Sequence, residues 1–165
     1  MKLLLLRHGL AVEFGTPGYE RDSERPLTPE GRRKTRAVAR ALATLEVSPE
    51  VILTSPLVRA HQTAEIVATA LRIKKRMLIC EHLASGGDAK RLIAAINRRH
   101  ANAELVMLVG HEPDLSSLVS LLLTGTASGA GIEMKKGGVC LLETDELRAG
   151  KCATLLWLAP PKLLV

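Results

Sequence analysis

Aromatic residues are almost missing from this chain, which contains one Trp, one Tyr and one Phe among its 165 residues. Domains that recognise single-stranded nucleic acids stack the bases on exposed aromatic rings. The composition therefore argues against such a domain, and we predict no nucleic-acid partner. The hydrophobic fraction of 47% must come from aliphatic side chains, so we expect a core of Leu, Val, Ile and Ala.

Cysteines are also few. The chain has three, at Cys80, Cys140 and Cys152, and they lie far apart without a C-x-x-C pair. This spacing is typical of neither a disulfide framework nor a zinc site, and no H-E-x-x-H signature is present. We predict no metal ion and no cofactor, and we expect a reducing, cytoplasmic compartment.

Long apolar runs are missing as well. No stretch approaches the roughly 18 apolar residues that a membrane span requires. The start of the chain, Met1–Leu6, is too short for the apolar region of a signal peptide and is not followed by a small-residue cleavage site. We therefore expect no membrane partner.

Positive charge is what the chain has in excess, with a formal net charge of +6. The basic residues are spread along the sequence, so phosphate groups or an acidic protein surface are the expected anionic partners. One local cluster lies on a predicted helix, at Arg32, Arg33, Arg36 and Arg40. A solvated helix face is the ordinary interpretation of such a cluster, and a docking patch is the alternative.

Short apolar runs alternate with helical periodicity along the chain. The runs typical of strands are 1–6, 51–53, 77–80, 105–109, 138–142 and 153–158. Helices are predicted to begin after Thr28 as N-cap, after Ser55 with Pro56 in the first turn, after Asp88, and at Pro113.

This alternation predicts the fold class. We expect an α/β fold, a three-layer α/β/α sandwich around a mostly parallel sheet, with the last two strands forming an antiparallel hairpin at one edge. No linker or internal repeat interrupts the pattern, so we predict a single domain over residues 1–165.

Three of the predicted parallel strands end in polar clusters. These clusters are Arg7-His8-Gly9, Ser55-Pro56-Leu57-Val58-Arg59 and Gly110-His111-Glu112-Pro113. Ligands of such sheets bind outside the carboxyl ends of the strands. Arginine forks suit phosphate oxygens, and an imidazole is either a further donor or a nucleophile. Phosphoryl transfer depends on positioned cations, so this set fits it without a metal.

The same residues resemble a known family. The Arg7-His8-Gly9 tripeptide, the segment Ser55-Pro56-Leu57-x-Arg59-Ala60-x-Gln62-Thr63-Ala64, and Gly110-His111-Glu112-Pro113 resemble, in that order, three signatures of the histidine phosphatase (phosphoglycerate-mutase-like) superfamily. The segment Arg25-Pro26-Leu27-Thr28-x-x-Gly31 is similar to a motif of its small branch, the SixA-type phosphohistidine phosphatases. The resemblance covers the chain to about Pro113.

The resemblance implies that His8 attacks phosphorus and becomes a phosphohistidine that water then hydrolyses. It also implies the residues that hold the phosphoryl oxygens or approach them: Arg7, Gly9, Arg59, His111 and, at the periphery, Arg25. The alternative interpretation is that His8 and His111 are polar residues at strand ends whose hydrogen bonds are satisfied within the protein and that have no catalytic role.

The acid that protonates the leaving group is left open. Glu81 follows the predicted third strand, where larger relatives place a glutamate, but its neighbours do not reproduce the mutase pattern. It is a candidate acid, a surface residue or a residue leading into a helix. A phosphoramidate needs less acid assistance than a phosphate ester, because its nitrogen is easily protonated.

The spacing of the motifs bears on the substrate. Few residues separate the second motif from His111, which leaves little room for the lid that a mutase needs to exclude water. We therefore predict an open site that accepts a phosphorylated protein, such as a phosphohistidine on a histidine phosphotransfer domain. The alternatives are a broad phosphomonoesterase acting on small phosphate esters and a non-catalytic phosphate-binding module.

Overall fold

One mixed sheet of six strands forms the centre of the computed structural model, which describes residues 1–165. Its strands are β1 (Lys2–Arg7), β2 (Val51–Thr54), β3 (Met77–Ile79), β4 (Leu105–Gly110), β5 (Val139–Thr144) and β6 (Ala153–Ala159). Their order is β3-β2-β4-β1-β5-β6. The first four strands are parallel, and β5 and β6 are antiparallel, which confirms the mostly parallel sheet with a hairpin at one edge.

Helices cover both faces of this sheet. They are α1 (Pro29–Thr44), α2 (Val58–Ala70), α3 (Ala89–His100), α4 (Asp114–Thr124) and α5 (Pro161–Leu164). Helices α1 and α2 share one apolar cluster with one face of the sheet, and α3 and α4 share another with the opposite face. The predicted three-layer α/β/α sandwich is confirmed. No helix in it combines the length and apolar character that crossing a membrane requires.

The first strand shows why its sequence is an unbroken apolar run. Leu4 and Leu6 pack toward α1 and α2, whereas Leu3 and Leu5 pack toward α3 and α4. Successive side chains of a strand point to opposite faces, and here both faces are covered. All four leucines are therefore buried.

Two of the predicted helix starts are confirmed by their caps. The Thr28 side chain accepts a hydrogen bond from the Gly31 backbone N–H, and Pro29 is the first residue of α1. Asp88 accepts from the backbone N–H groups of Lys90 and Arg91 at the start of α3.

The predicted start of α2 at Ser55-Pro56 is wrong. The helix begins at Val58, and its N-cap residue Leu57 makes no side-chain cap. Ser55 and Pro56 instead belong to the turn between β2 and α2, where the Ser55 hydroxyl accepts from the Leu57 N–H. The hydroxyl also forms a hydrogen bond with His111 in the loop after β4, and it does not cap the helix.

Strand register brings three strand ends together. Arg7 of β1 lies opposite Gly110 of β4, and Thr54 of β2 lies opposite Val109 of the same strand. Because β4 lies between β1 and β2, the segments that follow these strands meet at one edge of the sheet. That edge is the place where an α/β sheet binds its ligands.

Candidate active site

His8 follows β1 directly and its side chain is buried, with 6% of the residue exposed. Its Nε2 atom lies 3.3 Å from Nε of Arg59, and its Nδ1 atom lies 2.7 Å from the carbonyl oxygen of Gly9. An arginine Nε can only donate, so His8 Nε2 must accept and Nδ1 must carry the proton. The imidazole therefore carries its lone pair on Nε2, where it accepts from Arg59.

The protonation state of His8 agrees with that tautomer. Burial lowers the pKa of His8 from 6.5 to about 3, and the nearby charges of Arg59 and Arg7 act in the same direction. The hydrogen bond to Gly9 opposes this shift without cancelling it. At neutral pH the ring is uncharged, which is the form that can act as a nucleophile.

His111 follows β4 and is the second imidazole of the site. Its ring centroid lies 5.1 Å from that of His8, and the residue is 2% exposed. Its Nε2 atom lies 2.7 Å from the Ser55 hydroxyl oxygen, whereas Nδ1 has no hydrogen-bond partner. Burial lowers the pKa of His111 to about 4, so this ring is also neutral.

The Ser55 hydroxyl determines which nitrogen of His111 carries the proton. The hydroxyl oxygen already accepts from the Leu57 N–H, and its other hydrogen-bond partner is His111 Nε2. Buried hydroxyl groups donate where an acceptor is present. The His111 ring therefore accepts at Nε2 and presents Nδ1–H as a free donor.

Arg59 comes from the first turn of α2, as predicted, and is 4% exposed. Besides its contact with His8, it donates through Nη1 to the Asp22 carbonyl oxygen at 2.7 Å and through Nη2 to the Asp22 carboxylate at 3.0 Å. A cation at a helix N-terminus is unfavourable unless an anion lies nearby. The Asp22 carboxylate is that anion in the free protein.

Arg25 reaches the site through the same carboxylate. Its Nε and Nη2 atoms donate to Asp22 Oδ1 at 3.0 and 2.6 Å, and its Nη1 atom donates to the Val12 carbonyl oxygen. Burial alone would raise the pKa of Asp22, but the hydrogen bonds from Arg25 and Arg59 outweigh it and lower the pKa below its ordinary value. Asp22 is thus an ionised link between the two arginines.

Asp22 is absent from the set of residues predicted from the sequence. It lies in a segment rich in glycine, proline and charge that has no periodicity, and its contact with Arg59 spans 37 positions of the chain. The one local signal is its spacing of three residues from Arg25.

Arg7 ends β1, and it donates from Nη1 to the Met134 carbonyl oxygen at 2.8 Å. Its Nε atom is buried and has no partner. No sequence signal could have identified Met134, because the contact uses a backbone carbonyl 127 positions away.

Gly9 lies where the sequence predicts it, and the structure gives a packing reason for the missing side chain. A Cβ at this position would overlap the hydroxyl of Thr35 on α1. Its backbone N–H donates to Thr63 Oγ1 at 3.1 Å, and the same hydroxyl donates to the Arg59 carbonyl. Thr63 therefore ties the loop after His8 to the turn that carries Arg59. A contact of Gly9 with phosphate stays a prediction.

Glu81 lies apart from this group. It is exposed, its side chain makes no hydrogen bond or ion pair, and it lines a surface groove together with Leu78 and Arg98. His111 lines a different cavity, which His82 shares. A role for Glu81 as an acid stays a prediction.

The unsatisfied polar atoms indicate what the site can hold. Three buried side-chain polar atoms lack a hydrogen-bond partner, and two of them are the donors Arg7 Nε and His111 Nδ1. Leaving such a group unpaired costs about 1–3 kcal/mol. Arg7 ends β1 and His111 follows β4 at the same edge of the sheet, so an oxyanion bound there is a candidate partner for both donors. No group of three or more His, Cys, Asp or Glu side chains is placed to hold a metal ion.

Three comparisons show which known proteins this chain is similar to. The family model described as histidine phosphatase superfamily (branch 1) matches residues 3–84. Phosphohistidine phosphatase SixA of Escherichia coli strain K12 is 32% identical over 127 residues, which are 76% of each chain. An uncharacterized protein of Picosynechococcus sp. is 37% identical and matches 100% of this chain and 99% of its own. The solved structure of the protein histidine phosphatase SixA complexed with tungstate superimposes with a TM-score of 0.84 over 100% of both chains at 28% identity.

Proposed function

The chain belongs to the histidine phosphatase superfamily, as a SixA-like phosphatase, and we propose that it hydrolyses phosphohistidine on a protein with His8 as nucleophile. The observation that carries the proposal is a neutral, buried imidazole whose lone pair lies on Nε2, in a site where two buried donors lack partners. The relative named phosphohistidine phosphatase SixA supports this choice of substrate. The solved structure of a protein histidine phosphatase SixA contains tungstate, which is a tetrahedral oxyanion like phosphate.

The first half of the reaction transfers the phosphoryl group to the enzyme. Arg7, Arg59 and the Nδ1–H of His111 donate to the equatorial oxygens, where charge accumulates in the transition state. The Nε2 lone pair of His8 forms the new bond to phosphorus while the P–N bond of the substrate breaks. The departing imidazole takes its proton from water.

The second half returns the enzyme to its starting state. A water molecule attacks phosphorus, the bond to His8 Nε2 breaks, and inorganic phosphate leaves as the water proton passes to solvent. Fixed guanidinium groups and an imidazole donor supply the charge stabilisation, so we propose that the reaction needs no metal ion.

An exposed Glu81 is compatible with this substrate. The nitrogen of a phosphoramidate is protonated readily, so its departure requires less help from a buried acid than an alkoxide does. We expect Glu81→Gln to leave phosphohistidine hydrolysis unchanged and to slow any hydrolysis of phosphate esters. Equal, large losses on both substrates would assign Glu81 a general catalytic role.

A panel of substrates tests the proposal. The purified protein is assayed with a histidine-phosphorylated protein, a phosphoserine peptide and small phosphate esters, with His8→Ala as the control for contaminating activity. We expect rapid release of phosphate from phosphohistidine and loss of that activity in His8→Ala. Rapid hydrolysis of the small esters with none of phosphohistidine would favour a broad phosphomonoesterase, and binding without turnover would indicate a phosphate-binding module.

A further inference from the structure

Strand β3 leaves one edge of the sheet without a partner. It pairs with β2 alone and is the outermost strand on its side. Two of its side chains, Leu78 and Ile79, are 45% and 58% exposed. Free strand edges with apolar side chains are surfaces on which another chain can add, and flanking charges of one sign select against partners of the same sign.

Cations surround this edge on both sides. Lys74, Lys75 and Arg76 precede β3, and Arg98 and Arg99 end the neighbouring helix α3. All five side chains are exposed, and none forms an ion pair within the chain. The surface therefore combines two exposed aliphatic side chains, one on each face of the strand, with five cations that form no ion pair. The carboxylates of Glu50 and Glu81 also line it, and we call this surface the β3 groove.

The β3 groove leads toward the catalytic residues. Two adjoining surface cavities share Leu78, Arg98 and Arg99, and the second of them extends to His82. His82 also lines the cavity that contains His111. The β3 groove and the cavity that His111 lines therefore meet at His82.

We propose that the β3 groove binds an acidic surface of the phosphorylated protein whose phosphohistidine enters the active site. This inference rests on the proposed function and names where its protein substrate docks. Acidic side chains would pair with the free cations, and aliphatic side chains or a backbone strand would cover Leu78 and Ile79. A nucleic acid would satisfy the cations but would leave these aliphatic side chains exposed.

Matched peptide substrates separate docking from chemistry. One peptide carries a central phosphohistidine with aspartates along its length, and its partner carries serines at the same positions. The test variant is R98Q/R99Q, and K74Q/K75Q removes charge from the other side of the groove in case the first variant weakens α3. The control is R36Q/R40Q, which removes the same charge from α1 on the opposite layer of the fold.

We expect kcat/KM for the aspartate peptide to fall about tenfold in both groove variants. The fall comes from a higher KM, because complementary charge accelerates the encounter of enzyme and peptide. The serine peptide is turned over equally by all variants, R36Q/R40Q behaves as wild type on both, and added salt removes the preference for aspartate. Equal kinetics for groove and control variants would overturn the docking proposal while leaving the phosphatase proposal intact.

Binding of the unphosphorylated aspartate peptide separates the two proposals. If the wild type binds it more tightly than R98Q/R99Q does but hydrolyses no phosphohistidine, the groove stands and the proposed activity fails. If a DNA duplex displaces the peptide and binds more tightly to the wild type than the peptide does, the groove is a nucleic-acid surface and the docking proposal is wrong.

Discussion

Two histidines of the site hold the same tautomer by different means. The carbonyl of Gly9 fixes the proton of His8 on Nδ1, and the hydroxyl of Ser55 fixes that of His111 on Nδ1 by donating to Nε2. One ring is left with its lone pair on Nε2 and the other with a free N–H on Nδ1. The proposed nucleophile and the proposed oxyanion donor thus differ in which ring nitrogen would face the substrate.

Removing the Ser55 hydroxyl tests the assignment for His111. We expect Ser55→Ala to lower kcat/KM about a hundredfold, because loss of one preorganised donor to the transition state costs about 3 kcal/mol. The imidazole ¹⁵N spectrum at neutral pH supplies the direct readout, with His111→Gln to assign the signal. Protonation of Nδ1 in the wild type and its loss in Ser55→Ala are expected, and a wild-type ring protonated at Nε2 would contradict the assignment.

Asp22 is expected to act as a positioning residue for Arg59. Asp22→Ala removes the carboxylate that Arg25 and Arg59 share, so we expect kcat/KM to fall about tenfold with a small change in Tm, since the residue lies partly in solvent. Asp22→Asn keeps an oxygen that can accept from Arg59 and should recover part of the activity. Asp22→Ala with unchanged kinetics would mean that Arg59 needs no such support.

At the scale of elements, glycine allows α1 to lie against the loop after His8. Gly31 lies in the first turn of α1, and a Cβ there would overlap the carbonyl oxygen of Leu10. The Leu27 N–H, just before the helix, donates to Gln62 on α2. The two motifs that contain Gly31 and Gln62 therefore fix how α1, α2 and the His8 loop meet.

The substitution Gly31→Ala distinguishes the effect of this close packing on stability from the effect of helix propensity. Alanine normally stabilises a helix interior by about 1 kcal/mol relative to glycine, whereas overlap with a backbone atom costs about 1–3 kcal/mol. We expect Gly31→Ala to lower the free energy of unfolding, measured by chemical denaturation. Gly131→Ala, at a site with open space around it, is the control and should change little. A more stable Gly31→Ala protein would show that the helix can move away at no cost.

Element types were largely predictable and contacts between distant elements were not. The apolar runs and the caps at Thr28 and Asp88 identify strands and helices, because those signals are local. The convergence of Arg7, Arg59 and His111 was also predictable, since parallel strands end at one edge. The start of α2 was not, because a hydrogen bond between Ser55 and His111, in the loop after β4, overrides a local capping pattern. Strand order likewise depends on packing that no local pattern records.

The whole molecule should lose stability as the solution is acidified. His8 and His111 have folded-state pKa values lowered to about 3 and about 4, against 6.5 when unfolded. Between these values the unfolded chain binds more protons than the folded one, so stability is present above about pH 6.5 and is lost as pH falls. Both rings are almost fully buried, and we expect a loss of about 2–4 kcal/mol between pH 7 and pH 5.

Urea denaturation at the two pH values measures this loss. A variant with both His8→Asn and His111→Asn is the control and should show a much smaller dependence on pH. An equally steep dependence in that variant would place the titrating groups elsewhere in the protein.

Trapping the phosphorylated enzyme tests the central claim most directly. The protein is mixed with a ³²P-phosphohistidine peptide, quenched in alkali and digested, and the labelled fragment is identified. The account predicts an acid-labile, base-stable label on His8 that appears within the first turnover and is absent from His8→Ala. Turnover without a label on His8, or a His8→Ala variant that hydrolyses the peptide at the wild-type rate, would contradict it.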